Sequence, residues 1–243
     1  LFIAKDSSGN LQPITQRVEV GINAQGGVLI YFGTGQYITI NDNSTTSAQT
    51  FYGIWDKGAT VIGRSSLLQQ TVTGTASASG GNYRLTSNNG NASTMFVAPS
   101  TYKGWYIDLP SSGERQVSDP VLNGGRIIFT TLIPSLTACS SGGSGWLMEL
   151  DPTTGNQPAT PAFDSDNNRS INALDITASG VQTSAIASTP GIVQLPAVST
   201  IGGGSNGGTL QRKYMSESDA TIGNVLENAA SIQSKRVMWR QFK

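Results

Sequence analysis

Two stretches of this chain repeat one another at an offset of 41 residues. Gly104-Trp105-Tyr106-Ile107-Asp108-Leu109-Pro110 runs into Ser111-Ser112-Gly113. Gly145-Trp146-Leu147-Met148-Glu149-Leu150-Asp151-Pro152 runs into Thr153-Thr154-Gly155. Each copy is a Gly-Trp step, an alternating strand and a polar turn that holds Pro and Gly. A period of roughly 40–45 residues is that of a four-stranded propeller blade. Residues 51–55 lie about 50 positions before the first copy, residues 191–196 lie 46 after the second, and Trp239 follows at a similar distance. The spacing suggests four or five blade-sized units, with a sandwich or an irregular barrel as the alternatives.

The rest of the chain has the same texture. Short β-branched and aromatic runs alternate with turn clusters, which is the all-β signal. Strands are expected at residues 28–32, 37–40, 51–55, 126–133 and 146–150, with an alternating closing strand at 236–242. Residues 220–230 read equally as a helix or a strand, because glycine and β-branched residues interrupt the helical pattern. Residues 75–81 and 201–208 look like low-complexity linkers or long loops. No compositional shift marks a boundary, so residues 1–243 are expected to form a single domain of antiparallel strands with long Gly, Ser and Asn loops. A partial set of blades would expose two sheet edges, and Leu1 is not an initiator Met, so further blades are expected upstream.

Composition excludes several chemistries. The 243 residues carry 15 Lys and Arg against 15 Asp and Glu, no histidine and one cysteine. Without an imidazole there is no Ser-His-Asp or Cys-His mechanism. Zinc sites of histidine or clustered cysteine are excluded as well. Cys139 has no partner in the chain: it reads as a small buried hydrophobe or free thiol, or as half of a disulfide to sequence outside it. Zero net charge argues against a nucleic acid held through its phosphates. The longest apolar run, residues 127–133, is far short of the about 20 residues of a membrane span.

The densest cluster of acids is the stretch from Asp164 to Asp175. It fits a 12-residue calcium loop of the EF-hand type, with Asp164, Asp166 and Asn168 at positions 1, 3 and 5. Ser170 would offer its carbonyl at position 7, Asn172 falls at position 9 and Asp175 at position 12. Calcium takes six to eight oxygens, and this spacing converges oxygens on one point. Two departures stand out: Arg169 replaces the glycine that makes the sharp turn, and Asp175 is shorter than the usual Glu. The alternative is a plain surface turn, since Asp and Asn form such turns readily. Elsewhere Asn41-Asp42-Asn43 reads as a hairpin turn, Asp56 and Asp108 as turn or capping partners, and Glu149 and Asp151 as residues of one strand face, although Asp151 enters the turn and nothing pairs the two with a general acid. The cationic tail of Lys235, Arg236, Arg240 and Lys243 reads as a solvated strand face, with a carbohydrate or pilin contact as the alternative.

Several segments together resemble the PilY-type family, the tip-associated adhesins of bacterial type IV pili. They are Tyr31-Phe32-Gly33-Thr34-Gly35-Gln36-Tyr37-Ile38 with Gln49-Thr50-Phe51-Tyr52-Gly53-Ile54-Trp55-Asp56, the first Gly-Trp block with Gly113-Glu114-Arg115, the stretch Phe129-Thr130-Thr131-Leu132-Ile133-Pro134, the second Gly-Trp block, and Arg236-Val237-Met238-Trp239-Arg240-Gln241. They occur in the family's order over nearly the whole chain. The resemblance implies the C-terminal part of a modified seven-bladed-type β-propeller. It implies a non-enzymatic adhesin and assembly factor at the pilus tip or cell surface, exported through the periplasm and outer membrane. Its partners would be pilins or minor pilins and a host or abiotic surface receptor, with Ca2+ modulating pilus retraction and twitching motility. The family's best-known calcium loop would lie upstream of Leu1; the 164–175 loop resembles an Asp/Asn-rich loop that many members carry after the Gly-Trp-Leu strand.

Two other functions fit parts of the sequence. One is a carbohydrate-binding propeller without a pilus role. The other is a quinoprotein-type dehydrogenase, whose blade-closing strands Leu150-Asp151-Pro152-Thr153-Thr154-Gly155 resemble, although no set of charged residues would clamp an anionic quinone.

Overall fold

The computed structural model describes residues 2–61, 63–91, 93–97, 102–137, 142–177, 181–188, 191–194, 196–203 and 209–229. In chain order the strands are β1 (Glu19–Ile22), β2 (Val28–Gly33), β3 (Thr50–Asp56), β4 (Leu68–Gln70), β5 (Val72–Ala78), β6 (Gly81–Thr86), β7 (Gly104–Asp108), β8 (Val121–Asn123), β9 (Arg126–Pro134), β10 (Gly143–Leu150), β11 (Ala185–Ala187), β12 (Ala197–Gly203), β13 (Thr209–Ser216) and β14 (Ile222–Ala229). They form three sheets: β1-β2-β3-β7-β4, then β5-β6-β11-β10-β9-β8, then β12-β13-β14. Every pairing is antiparallel except that of β4 with β7. The all-β expectation holds.

The sheets stack as layers, and the strand sequences show why. Along β3, Phe51 and Trp55 join one core while Tyr52 and Ile54 join another on the opposite side. Along β9 and β10, Ile127, Phe129, Met148 and Leu150 face the first sheet, and Ile128 and Leu147 face the third. A strand with a core on each side reads as a nearly continuous apolar run, because successive side chains point to opposite faces. The centre of the first interface is Phe51 on Phe129, rings 3.7 Å apart and 4° from parallel. Each fully buried aromatic contributes about 1.5–3 kcal/mol from burial alone. The outer face of the first sheet is covered by Ala4 and Phe2, which pack on Phe32 and Tyr52.

The two Gly-Trp copies fall on β7 and β10, in different sheets, as a blade-to-blade repeat requires. Trp105 is fully buried and donates from its indole to the Pro152 carbonyl at 2.9 Å. Glycine lines the ring on two sides. A Cβ at Gly53, opposite it on β3, would stand 2.5 Å from the indole nitrogen, and one at Gly155 would stand 2.3 Å from the ring carbons. The Gly of the second repeat's turn is thus where the first repeat's Trp is seated.

Several expectations change. Residues 37–40 are not a strand: they lead into a single 3-10 turn, Ile40–Ser44. The Asp42 carboxylate accepts from Ile38 N at 2.8 Å, Thr39 N at 2.7 Å and the Gln36 amide at 2.8 Å, so it takes donors a ladder would need. Asn41, Asp42 and Asn43 therefore belong to this turn and not to a hairpin. Residues 75–81 are no linker but most of β5 and its hairpin to β6. Residues 222–229 settle as strand β14. Of the blade-sized unit placed at residues 191–196, Val193 makes one isolated bridge, to Glu217, and Leu195 lies outside the described residues. Of the residues expected to form a linker, 201–203 are in β12. Residues 204–208, Cys139, the closing strand at 236–242 and the cationic tail lie outside the described residues.

Candidate functional site

The 164–175 loop is tied to the fold at its base. Phe163 is fully buried and bridges Glu227 on β14. Gly80, in the β5–β6 turn, donates to the Ser165 carbonyl at 3.0 Å. Asp175 is buried to zero exposure at the loop's far end, while Asp166 is exposed.

Three of the six candidate ligands come together. Each of Asp164, Asp166 and Asp175 offers a carboxylate oxygen within 4.8 Å of the others. Asn168 joins them by donating its amide to Asp166 at 2.7 Å. The remaining two pair elsewhere: the Asn172 amide donates to the Ser170 carbonyl at 3.4 Å. Asp164 accepts the backbone N–H of Asn168 at 3.1 Å and of Arg169 at 2.7 Å. Asp175 accepts Ser165 N and Asn172 N, each at 2.8 Å. Burial pushes the Asp164 carboxyl above its usual range, against the Arg169 N–H, and its acidic neighbours Asp166 and Asp175 add to the rise.

The missing glycine does not prevent the turn. Arg169 adopts φ 66° and Asn167 φ 59°, both left-handed. Asparagine tolerates that region, whereas arginine is strained there. Among the described residues no Lys or Arg forms an ion pair with these three acids. The arrangement suits a hard divalent cation: carboxylates converge, and their charge is otherwise uncompensated. Asp164 and Asp175 are the weak elements, because each oxygen of both already accepts a backbone N–H.

Other charges, sparse in sequence, are mostly built into the core. Lys213 sits between Glu149 and Glu227, and Arg126 donates to Glu149 at 3.1 Å and to the Asn228 carbonyl at 2.8 Å. This quartet joins β9 and β10 to β13 and β14, with every member at most 4% exposed. Burial raises the Glu149 carboxyl, but Lys213 and Arg126 outweigh it and hold the group low. Burial, then Glu149, push Glu227 well above the usual carboxylate range. Asp108 is not a mere turn partner: it pairs with Arg64 at 2.6 Å and accepts from Thr50 Oγ1 at 2.7 Å. Asp56 is one, accepting Gly58 N at 2.9 Å. Glu149 and Asp151 do not act together; Asp151 turns away and accepts Thr153 N and Thr154 N. With no histidine in the chain, none of these acids is paired with an imidazole.

A cavity of about 670 Å3 lies between Phe2, Ile3, Lys5 and Asp6 on one side and Val61 and Arg64 on the other. A 300 Å3 cleft with Tyr37 and Glu217 in its wall opens beside β9 and the end of β13, and a 200 Å3 hollow adjoins Asp164 and Arg169. Among the described residues no helix is long and apolar enough to cross a membrane.

Three comparisons bear on these features. A family model for the PilY1 beta-propeller domain matches residues 1–98. A type IV pilus biogenesis factor PilY1 homolog of Xylella fastidiosa is 38% identical over 165 residues, which is 64% of this chain and 11% of that protein. Type IV pilus biogenesis factor PilY1 of Pseudomonas aeruginosa strain PAO1 is 30% identical over 209 residues, 75% of this chain and 18% of that protein. The chain thus spans less than a fifth of the length of these relatives. The crystal structure of the Pseudomonas aeruginosa PilY1 C-terminal domain superposes with a TM-score of 0.73 at 25% identity, covering 95% of this chain and 48% of that one.

Proposed function

From the premise that this chain is a PilY-type C-terminal region, we propose that it serves type IV pilus biogenesis as a non-enzymatic scaffold at the cell surface. The observation that carries the reading is the superposition over 95% of the chain on a PilY1 C-terminal domain. The relatives' names as pilus biogenesis factors support the pilus role. The absence of histidine and the structural use of nearly every buried charge support a binding rather than a catalytic protein. Pilins or minor pilins are the proposed partners, with the pilus tip as the proposed location and surface attachment as the second task. The decisive experiment is deletion of the gene followed by electron microscopy and a twitching assay. Loss of pili or of motility is expected; normal piliation and motility would refute the pilus role.

Calcium is the proposed modulator. Asp164, Asp166 and Asp175 would hold the ion, with the side-chain oxygen of Asn168 beside them. When bound it would neutralise clustered carboxylates and tie the loop to its base on β14 and the β5–β6 turn. The crowded carboxylates of Asp164 and Asp175 point to the weak affinity of extracellular modules, about 10⁻⁴–10⁻³ M.

A further inference from the structure

The edges of the three sheets are protected unequally. β1 is four residues long and carries Glu19, and β4 and β8 are three residues each. β14 is part-covered: Asp164 N donates to the Leu226 carbonyl at 3.4 Å, Asn228 N donates to the Ala162 carbonyl at 3.2 Å, and Phe163 bridges Glu227. β12 has seven residues, but a bulge between Thr200 and Gly202 breaks it in mid-strand. Shortness, charge, bulges and covering segments are the devices that keep a sheet edge from pairing with another chain. β5, the seven-residue edge of the second sheet, lacks them over most of its length. Its register shift lies at its start, between Val72 and Gly74, and residues 72–78 hold no charge and no proline.

The hairpin fixes which main-chain groups β5 presents. Its turn to β6 is two residues long, so Ala78–Gly81 and Ala76–Tyr83 are the pairs that exchange hydrogen bonds. The N–H and C=O groups of Thr75 and Ser77 therefore point away from β6. Among the described residues nothing bonds to that side of the strand. The Thr75 and Ser77 side chains are exposed on one face, and Gly74 and Ala76 are half-buried on the other. Open main-chain donors and acceptors along a straight edge fit an added extended strand.

The strand that fits is β5 itself. About a two-fold axis at Ala76, Thr75 of one copy faces Ser77 of the second, and Ser77 faces Thr75, both as hydrogen-bonded pairs. Hydroxyl then stands opposite hydroxyl, a favourable cross-strand pairing, and the small Ala76 meets its equivalent at the close position between them. No like charges meet in the seam, and 15 cations against 15 anions leave no net repulsion between two copies. We infer that two copies of this chain pair antiparallel through β5, in register about Ala76, joining their second sheets into one. Each copy uses its β5 edge once, so association stops at the dimer. A single strand seam is smaller than the about 800 Å2 per partner of a standard interface, so the dimer is weak and reversible.

Sedimentation velocity on the full chain, from micromolar to millimolar concentration, tests the inference. A reversible monomer–dimer equilibrium is expected, with amide exchange at Thr75 and Ser77 slowing as concentration rises. Thr75→Lys/Ser77→Lys sets lysine against lysine at both pairs and should weaken association about tenfold or more, with the melting temperature of the dilute protein unchanged. Thr75→Val/Ser77→Val keeps the edge uncharged and should dimerise as the parent does. A chain that stays monomeric over the whole range would overturn the inference, and so would a dimer that persists in the double-lysine variant.

Discussion

Arg84 on β6 grips the Glu114 carboxylate through both terminal nitrogens, at 2.6 and 2.8 Å, with neither side chain more than 3% exposed. The pair links the second sheet to the turn that follows the first repeat. Thr131 Oγ1 donates to the same carboxylate at 2.7 Å, and the guanidinium lies 4.2 Å from the Trp146 ring centre. Removing one partner of a buried pair leaves the other charge unmet, which costs about 3–5 kcal/mol. Glu114→Ala should lower the unfolding free energy by that order in urea titrations. Asp119→Ala, which breaks the exposed Arg17 pair, should cost under about 1 kcal/mol. Equal effects of the two variants would refute this assignment.

The Phe51–Phe129 stack makes a similar prediction for the apolar interface. Phe51→Ala should destabilise by about 3–5 kcal/mol, through lost burial and the cavity left behind. Gly53→Ala tests the opposite failure, overpacking, because its Cβ would meet the Trp105 indole at 2.5 Å. A loss of about 1–3 kcal/mol is expected, with a change in tryptophan fluorescence as the ring is displaced. Wild-type stability of Gly53→Ala would show that the indole seat is loose.

These contacts mark what the sequence discloses. The paired Gly-Trp steps located two strands in two sheets, and the apolar runs located β2, β3, β9 and β10, because two-sided burial leaves an unbroken apolar string. Residues 37–40 misled for a reason visible only in three dimensions: Asp42 captures the local N–H groups. The convergence of Asp164, Asp166 and Asp175 was legible as spacing; the diversion of Ser170 and Asn172 to each other was not. The buried quartet had a signal that could have been used. Glu149 stands inside the run Leu147-Met148-Glu149-Leu150, and Lys213 shares a strand face with Met215. A charge on an apolar face requires a partner.

That quartet predicts a pH dependence. The Glu227 carboxyl is raised well above its ordinary value of 4.5 in the fold. The folded chain therefore binds that proton more tightly than the unfolded one. The contribution is fully present below pH 4.5 and is lost as pH rises towards the folded value. Glu227→Gln keeps the shape without the titration, so its melting temperature should fall less than the parent's between pH 5 and 8. Parallel profiles in the two proteins would refute a Glu227 carboxyl raised by the fold.

The acidic loop gives the last prediction. Calcium added to the parent should release heat in isothermal titration and raise the melting temperature, since a ligand at 100 times its dissociation constant stabilises by about 2.7 kcal/mol. Asp164→Ala/Asp166→Ala should abolish both effects. Arg169→Gly separates the loop's conformation from its ligands. Arg169 holds φ 66°, a strained value for a side chain with a Cβ, and glycine relieves it at no cost in ligand oxygens. The variant should raise the unfolding free energy of the calcium-free protein by about 1 kcal/mol or somewhat more, and leave calcium affinity close to the parent's, because the strain is present before the ion binds. Unchanged stability of the variant would show that the left-handed turn carries no strain at Arg169. A parent silent to calcium, with an Arg169→Gly variant equally silent, would make the 164–175 loop a hydrogen-bonded turn and nothing more.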